Sequence, residues 1–318
     1  MKLGFIGAGQ MANEHARAFK ALGNEIVAVS ATPTSNNIEM FSRKYNVKKQ
    51  YSSHINLFEN EKIDALIVTT PPHVTADILG SIRDLTIPAL IEKPGSNRSS
   101  VIKNELLKKE SIIYFGYNRR FYESVSQLKV QSDKHKGHFV FNLVQPTFEE
   151  ISERDYVFVN EAVHMLDMIR FLIPGSEIEA IFYDSQNKTY YFKILQFTKP
   201  AGTLRVSFGP VRNQSIEWDK AGLSATLKPI EVLTLSNMFT ILEPTPEFPS
   251  RRYIPSLINF DVPEKTLSST EFKPGIMTQA KEFQRLVVSN GQSRKTRLAS
   301  PSDAYYALKW AEQICDSI

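Results

Sequence analysis

One cysteine, Cys315, stands among 318 residues, which excludes an internal disulfide and fits a reducing cytoplasm. No stretch approaches the ~20 apolar residues of a membrane helix. The LGFIG run after Met1 and Lys2 is broken by glycines and Gln10 before it reaches the length of a signal peptide. Lys and Arg number 38 against 34 Asp and Glu, a formal net charge of +4, and the cations lie scattered among acids. Without a basic run or stripe, nucleic acid is not an expected partner, and neither is a membrane. Internal repeats and low-complexity tracts are absent. So are a G-x-S-x-G elbow, a Walker sequence and a zinc-protease helix. His15, His54, His135 and His138 have no metal-ligand spacing with Cys315 or any acid cluster, so no metal site is expected. They read as surface or packing residues, and Cys315 as a packing residue on the last helix.

What is present falls into two patterns. A hydrophobic content of 42% with 23% charged residues describes a soluble globular chain, and the length suits two domains. Over residues 1 to 117, the apolar runs KLGFIG, EIVAVS, DALIVTT, PALIEK and IIYFGY alternate with helical spacing near 11–22, 36–45, 73–84 and 97–109. Each parallel strand needs a crossover, so this repetition predicts a doubly wound α/β domain with a parallel sheet, residues 1–118. From 119 to 318 the runs GHFVFNLVQ, IEAIFYDS, TYYFKILQFT, TLRVSFG and SIEWDKAGLSATL predict a large, mostly antiparallel sheet in an α+β domain. Lys-Pro-Ala-Gly at 199–202 and Lys-Ala-Gly at 220–222 read as hairpin turns. A helix is predicted at 161–172, closed by Pro174 and Gly175. Two more are predicted near 275–289 and 301–316, the last capped by Ser300 with Pro301 at its first position. Residues 243–274 read as a long surface connection.

GFIGAGQMA ends the first strand with Gly7, Gly9 and Ala12 in the G-x-G-x-x-A pattern, and a helix opens near Met11. Gly7 permits the tight turn, Gly9 lets the backbone approach a pyrophosphate, and Ala12 lets helix and strand pack. The free N–H groups of the helix end, at Gln10 and Met11, attract phosphates. An NAD site commonly carries an acid about 20 residues beyond the glycines, for the ribose hydroxyl. Here the second strand ends AVSATPTSNN, with no carboxylate before Glu39. Ser30, Thr32 and Thr34 are neutral donors that tolerate a 2′-phosphate, and Arg43 could add charge. NADP is therefore favoured over NAD, although hydroxyl residues after a strand also form turns. Thr70, Pro71 and His73, at the end of the DALIVTT strand, are further candidate cofactor contacts; His73 could equally cap the following helix.

ALIEKPG, residues 89–95, sets an acid, a lysine and a proline at a strand end. Ligands of open parallel sheets bind outside the carboxyl ends of the strands, so Glu92 and Lys93 are expected to face the cofactor. Pro94 fixes the backbone there and could be cis. Burial would lower the Lys93 pKa from about 10.4, and the amine could then share a proton with a substrate hydroxyl. An isolated lysine at a strand end is otherwise commonly just solvated.

GFIGAGQMA, TTPPHVTADIL, IEKPG and GYNRRF, in that order and spacing, resemble the Gfo/Idh/MocA family of NAD(P)-dependent oxidoreductases. The two-domain plan and SPSDAYYALKWAEQI near the end are similar too. That resemblance implies a helix in the second half that displays an acid and, four residues on, a histidine beside the nicotinamide. NEAVHMLD puts Asn160 and His164 at those places. His164 would be the proton acceptor, with a reference pKa of about 6.5, and Lys93 would hold the substrate oxygen. Two departures stand out. Asn160 lacks the charge of the family aspartate, and ERDYVFV stands where a glycine-rich stretch is common. Asp167 could take the orienting role or pair with Arg170 on the surface. Tyr117 and Arg120 are candidate substrate contacts; of Arg119 and Arg120, one is expected to face substrate and the other to be structural.

The resemblance implies a cytoplasmic dehydrogenase or reductase of a sugar, polyol or nucleotide sugar, a homodimer or homotetramer through its second sheet. The alternatives are an NAD-dependent glycoside hydrolase of the same family and a non-catalytic dinucleotide-binding protein.

Overall fold

The computed structural model describes residues 1–33, 35–108, 112–145, 158–209, 214–220, 223–242, 252–258, 272–289 and 296–317. Contacts divide the chain into two units. The first takes Met1–Phe121, Asp155–Asp167 and Ser268–Asp316. Its sheet holds β1 (Lys2–Ile6), β2 (Glu25–Ser30), β3 (Lys49–Tyr51), β4 (Ala65–Val68), β5 (Ala89–Ile91) and β6 (Ile113–Phe115) in the order β3-β2-β1-β4-β5-β6. Every pair is parallel. β4 and β5 are buried at every residue, as strands covered on both faces must be. The crossovers are α1 (Gln10–Ala21), α2 (Ile38–Tyr45), α3 (His54–Asn60), α4 (Pro72–Arg83) and α5 (Ser99–Leu106). This is the expected doubly wound α/β architecture. β1 pairs with both β2 and β4, so the chain reverses direction there and the switch point lies at the end of β1.

In this unit β3 and α3 escaped the periodicity, as did the helix Glu123–Lys134 and the strand Leu233–Leu242 in the second. β3 is a three-residue edge strand whose Lys49 and Gln50 are exposed, too short and polar to show an alternation. The units also differ from a division at residue 118. Ile276, Ala280, Phe283 and Leu286, on the helix Ile276–Val288, share one apolar cluster with Leu3, Phe5, Ala12 and Phe19. The last helix, Pro301–Ser317, buries Ala304, Leu308, Trp310 and Ile314. Its start is a reciprocal cap: Asp303 N–H donates to Ser300 Oγ at 3.2 Å, and Ser300 N–H donates to Asp303 Oδ2 at 3.0 Å. Cys315 is buried on this helix, as expected.

The second unit takes Tyr122–Arg154, Met168–Leu267 and Ser317–Ile318. Its eight strands are β7 (His138–Gln145), β8 (Ser176–Asp184), β9 (Thr189–Gln196), β10 (Lys199–Phe208), β11 (Gln214–Lys220), β12 (Leu223–Leu227), β13 (Leu233–Leu242) and β14 (Arg252–Ile258). Their order is β14-β13-β12-β11-β7-β10-β9-β8, antiparallel except where β10 runs parallel to β7. Phe139, Phe141, Phe192, Leu204, Ile216 and Trp218 are buried, giving the sheet a covered face. The turn expected at 199–202 lies instead at Phe197 and Thr198, with φ of 48° and 69°, and 199–202 belongs to β10. Gly202 sits where a Cβ would stand 2.6 Å from the Phe139 carbonyl oxygen, and the β9 register shifts between Pro200 and Gly202. Glycine and proline serve a bulge there, not a turn. Lys220 pairs with Leu223, so a hairpin does close at 221–222, although those two residues lie outside the described ones. β14 falls within the stretch expected to be connection; the flanking 243–251 and 259–271 lie outside the described residues.

Candidate active site

Gly7 closes β1 with φ of 98°, its N–H donating to Ser30 O at 2.8 Å. A Cβ at Gly7 would meet Thr69 Oγ1 at 2.8 Å, so the turn admits no side chain. A Cβ at Gly9 would find nothing within 4 Å: the space before the helix is open. Gly9 gives α1 no side-chain cap, and no acid lies in its first turn. The bare N–H groups at Gln10 and Met11 and the open approach fit the diphosphate of a dinucleotide. Lys273 brings its Nζ to 3.5 Å from Met11 Sδ, adding a cation at this helix end.

The end of β2 separates its candidates. Ser30 is buried, whereas Thr32 is exposed; Thr34 lies outside the described residues. Arg43 on α2 is exposed and pairs with Glu39 at 3.3 Å. At the next strand end, His73 is the second residue of α4 and does not cap it; Pro71 holds the cap position. The polar bonds there belong to Thr75, whose hydroxyl meets Thr70 Oγ1 at 2.7 Å.

Lys93 follows β5, and the Lys93–Pro94 bond is cis. Its Nζ donates to the carbonyl oxygen of Asn160. Asn160 lies in a π-helical turn, Phe158–Ala162, that runs directly into the helix Val163–Leu172, so the helix has begun at 160. The His164 ring stands edge-on to Tyr117, centroids 6.0 Å apart at 88°. Nδ1 of His164 and the hydroxyl of Tyr117 are buried and have no hydrogen-bond partner among the described residues. Burial lowers the Lys93 pKa, opposed by the Glu92 carboxylate. Burial, then the charges of Arg119, Lys93 and Lys273, hold His164 well below the usual 6.5. Burial, then the Asp167 carboxylate, pushes the Tyr117 phenol well above its usual value.

Two side chains lie deeper than expected. Arg120 is 4% exposed and bound to Asp167 through Nε at 2.8 Å and Nη2 at 2.5 Å, so it forms a buried ion pair. Asp167, 1% exposed, is therefore in the interior and not on the surface. Tyr117 is fully buried and touches the histidine ring, which makes it a support for His164. Arg119 is the arginine that acts on His164 and Lys93.

Two residues of this region were missed. His15, expected at the surface or in packing, is buried with Nε2 at 2.7 Å from Glu92 Oε1. Ala12, His15, Ala16 and Phe19 form one stripe of α1, a spacing that could have revealed it. Lys273 carried no local signal. Among the described residues no cluster of His, Cys, Asp and Glu could hold a metal ion, and no helix is long and apolar enough to cross a membrane.

Residues 1–109 match the sequence model of an oxidoreductase family with an NAD-binding Rossmann fold. Glycine loop, strand order and match agree: the first unit is built on an NAD-binding Rossmann module of an oxidoreductase. The family whose model those residues match is Gfo/Idh/MocA. Over 194 residues the chain is 25% identical to myo-inositol 2-dehydrogenase of Thermotoga maritima, covering 58% of each. It spans little more than half the length of the curated relatives it matches. In fold it is similar to levoglucosan dehydrogenase solved with NADH and levoglucosan, TM-score 0.74 at 15% identity over 100% of this chain and 96% of that one. UDP-N-acetylglucosamine 3-dehydrogenase from Acidithiobacillus ferrooxidans gives a TM-score of 0.71 at 14% identity over 100% and 97%.

Proposed function

We propose that the protein is an NAD(P)-dependent dehydrogenase or reductase acting at a hydroxyl or keto carbon of a sugar, polyol or nucleotide sugar. The observation that carries this reading is the bond from Lys93 to the Asn160 carbonyl, four residues before His164, in the unit that holds the glycine loop. The relatives named above as inositol, levoglucosan and UDP-N-acetylglucosamine dehydrogenases support the substrate class. When bound, the nicotinamide supplies or accepts the hydride. Gly7, Gly9, Gln10 and Met11 would hold the diphosphate, with Thr70, Pro71, His73, Glu92 and Lys93 as the remaining contacts. NADP is favoured over NAD because no carboxylate stands on 31–37, while Thr32 and Arg43 are exposed. The buried side chain of Ser30 leaves 2′-phosphate recognition to those two.

The proton chemistry follows from the two cationic and imidazole groups. Lys93 has three N–H donors, of which Asn160 O takes one, leaving two for a substrate oxygen. His164, neutral at pH 7, accepts the hydroxyl proton as the carbon is oxidised. In the reverse direction both groups donate to the ketone oxygen. Asn160 contributes its amide to substrate hydroxyls, and Tyr117 fixes the ring of His164. We also assign self-association, as a homodimer or homotetramer, to the second sheet, where Phe182 and Tyr183 of β8 are 56% and 48% exposed.

Thermal-shift titration with NAD and NADP, then with polyols, sugars and nucleotide sugars beside the preferred dinucleotide, tests the reading. A rise with NADP exceeding that with NAD, followed by turnover, is expected; no rise with either overturns it. Lys93→Ala should lose about 10²–10⁴ in kcat with little loss of cofactor affinity. Glycoside cleavage without net cofactor reduction would instead assign the chain to hydrolysis.

A further inference from the structure

Behind Lys93 lies a buried polar pair that the chemistry above leaves unused. His15 is 1% exposed and Glu92 9%, with Nε2 and Oε1 2.7 Å apart. Between an imidazole and an ionised carboxylate the ring nitrogen donates and the oxygen accepts. The ring of His15 lies against Phe19, centroids 6.4 Å apart at 24°, and Phe19 in turn meets Phe283 edge-on. On the other side of the carboxylate, Gly116 leaves room: a Cβ there would stand 3.0 Å from Glu92 Oε1. Glu92 N–H is tied to Val68 O at 2.8 Å, and Gly116 N–H to Ile91 O at 2.7 Å.

The bond joins two elements with separate tasks. His15 lies five residues along α1 from Gln10, about 7.5 Å from the end that faces the glycine loop. Glu92 immediately precedes Lys93, so a carboxylate anchored on α1 fixes the backbone from which the lysine departs, and the lysine Nζ reaches Asn160 O. Without its donor the carboxylate would lose the bond that fixes it behind Lys93. Lys93 would then lose the fixed place of the charge that most opposes the effect of burial on its amine.

We propose that His15 is a positioning residue for the reaction: its bond to Glu92 ties the helix at the diphosphate to the loop carrying Lys93, aims the amine, and holds the carboxylate behind it. The proposal rests on the dehydrogenase reading for the identity of the reaction, but its effect on the amine is measurable without turnover.

The measurement is trace acetylation of the full chain with acetic anhydride near neutral pH. Labelling of the partly exposed Lys93 is quantified by mass spectrometry against Lys20 and Lys48, which are exposed. His15→Leu removes the donor and Glu92→Gln removes the charge. Each should raise the Lys93 labelling rate about tenfold, the change for one pKa unit. His15→Gln, whose amide nitrogen can still donate to the same oxygen, should label near the wild-type rate. An unchanged rate in folded His15→Leu, or a rise in His15→Gln as large as in His15→Leu, overturns the proposal. Should His15→Leu fail to fold, equal Lys93 rates in His15→Gln and Glu92→Gln overturn it, and a rise confined to Glu92→Gln supports it. Failure of the wild-type chain to bind NAD or NADP would remove the dehydrogenase reading while leaving this measurement readable.

Discussion

Arg120→Met asks whether a buried charge pair holds the helix that carries His164. Burial lowers the pKa of the guanidinium, but the Asp167 and Asp303 carboxylates outweigh it and hold the group above its usual value. Both of its bonds to Asp167 are charge-assisted, at 2.8 and 2.5 Å, and Nη1 lies 3.4 Å from Asp303 Oδ2. Removing it takes the bidentate partner from Asp167, whose side chain is 1% exposed, and breaking a buried pair in this way costs about 3–5 kcal/mol. Asp303 is 21% exposed and retains Ser300, so it adds little. Methionine fills much of the arginine volume, which keeps the cavity contribution small. Against a total stability of about 5–15 kcal/mol, this is a large fraction. At about 2–4 °C per kcal/mol, the melting temperature should fall by about 6–20 °C. Asp167 lies three residues beyond His164, so kcat should fall as well. Arg120→Met with Asp167→Leu removes both charges and should recover most of the loss. Urea unfolding followed by circular dichroism on the two single variants and the double reports the coupling. A loss below about 1 kcal/mol for Arg120→Met, the size of an exposed pair, would refute the reasoning. So would a double variant whose loss is the sum of the singles.

Other expectations are shorter. Oxidation needs neutral His164 and protonated Lys93, so activity should persist as pH falls below 6.5 and decline as pH rises toward 10.5. An acid limb of kcat/KM at or above pH 6.5 would contradict the burial of that ring. Asn160→Asp leaves the Lys93 bond to the backbone intact but adds a negative charge near His164, and should move the acid limb up by about 1–3 pH units; an unmoved limb would remove residue 160 from the neighbourhood of the ring. Gly7→Ala should cost about 1–3 kcal/mol and weaken dinucleotide binding, because φ is 98° and the added Cβ would meet Thr69. Equal stability and affinity in that variant would count against the turn. Phe182→Glu should lower the sedimentation coefficient if the second sheet joins copies of the chain, and an unchanged value would place self-association elsewhere.

The parallel half of the fold was legible because its strands are buried on both faces and its helices keep regular spacing, as β4 and β5 illustrate. The elements that escaped were local exceptions. β3 has no apolar alternation to detect. Phe197 and Thr198 turn the β9–β10 hairpin in the left-handed region without glycine, asparagine or aspartate, so turn chemistry pointed three residues too far along. The return of the helix Ile276–Val288 to the core of the first unit depends on contacts across more than 250 residues of chain, to which no periodicity refers.

The site divides along the same line. Glycines at a turn and a lysine at a strand end are tasks set by local backbone, and Gly7 and Lys93 stand where their neighbours imply. Arg119 and Arg120 are adjacent in one 3-10 turn, Asn118–Phe121, and only a carboxylate 47 residues further on decides which of them is buried. Asn160 shows the opposite case, a residue whose identity matters less than its letter suggests. The helix meets Lys93 with a main-chain carbonyl, and any residue at 160 can supply that acceptor. In an uninterrupted α-helix this oxygen would be directed at the N–H four residues on; the π turn lengthens that step to five. A change of backbone winding thus brings an acceptor to the lysine, and the charge missing from the Asn160 side chain leaves that bond intact.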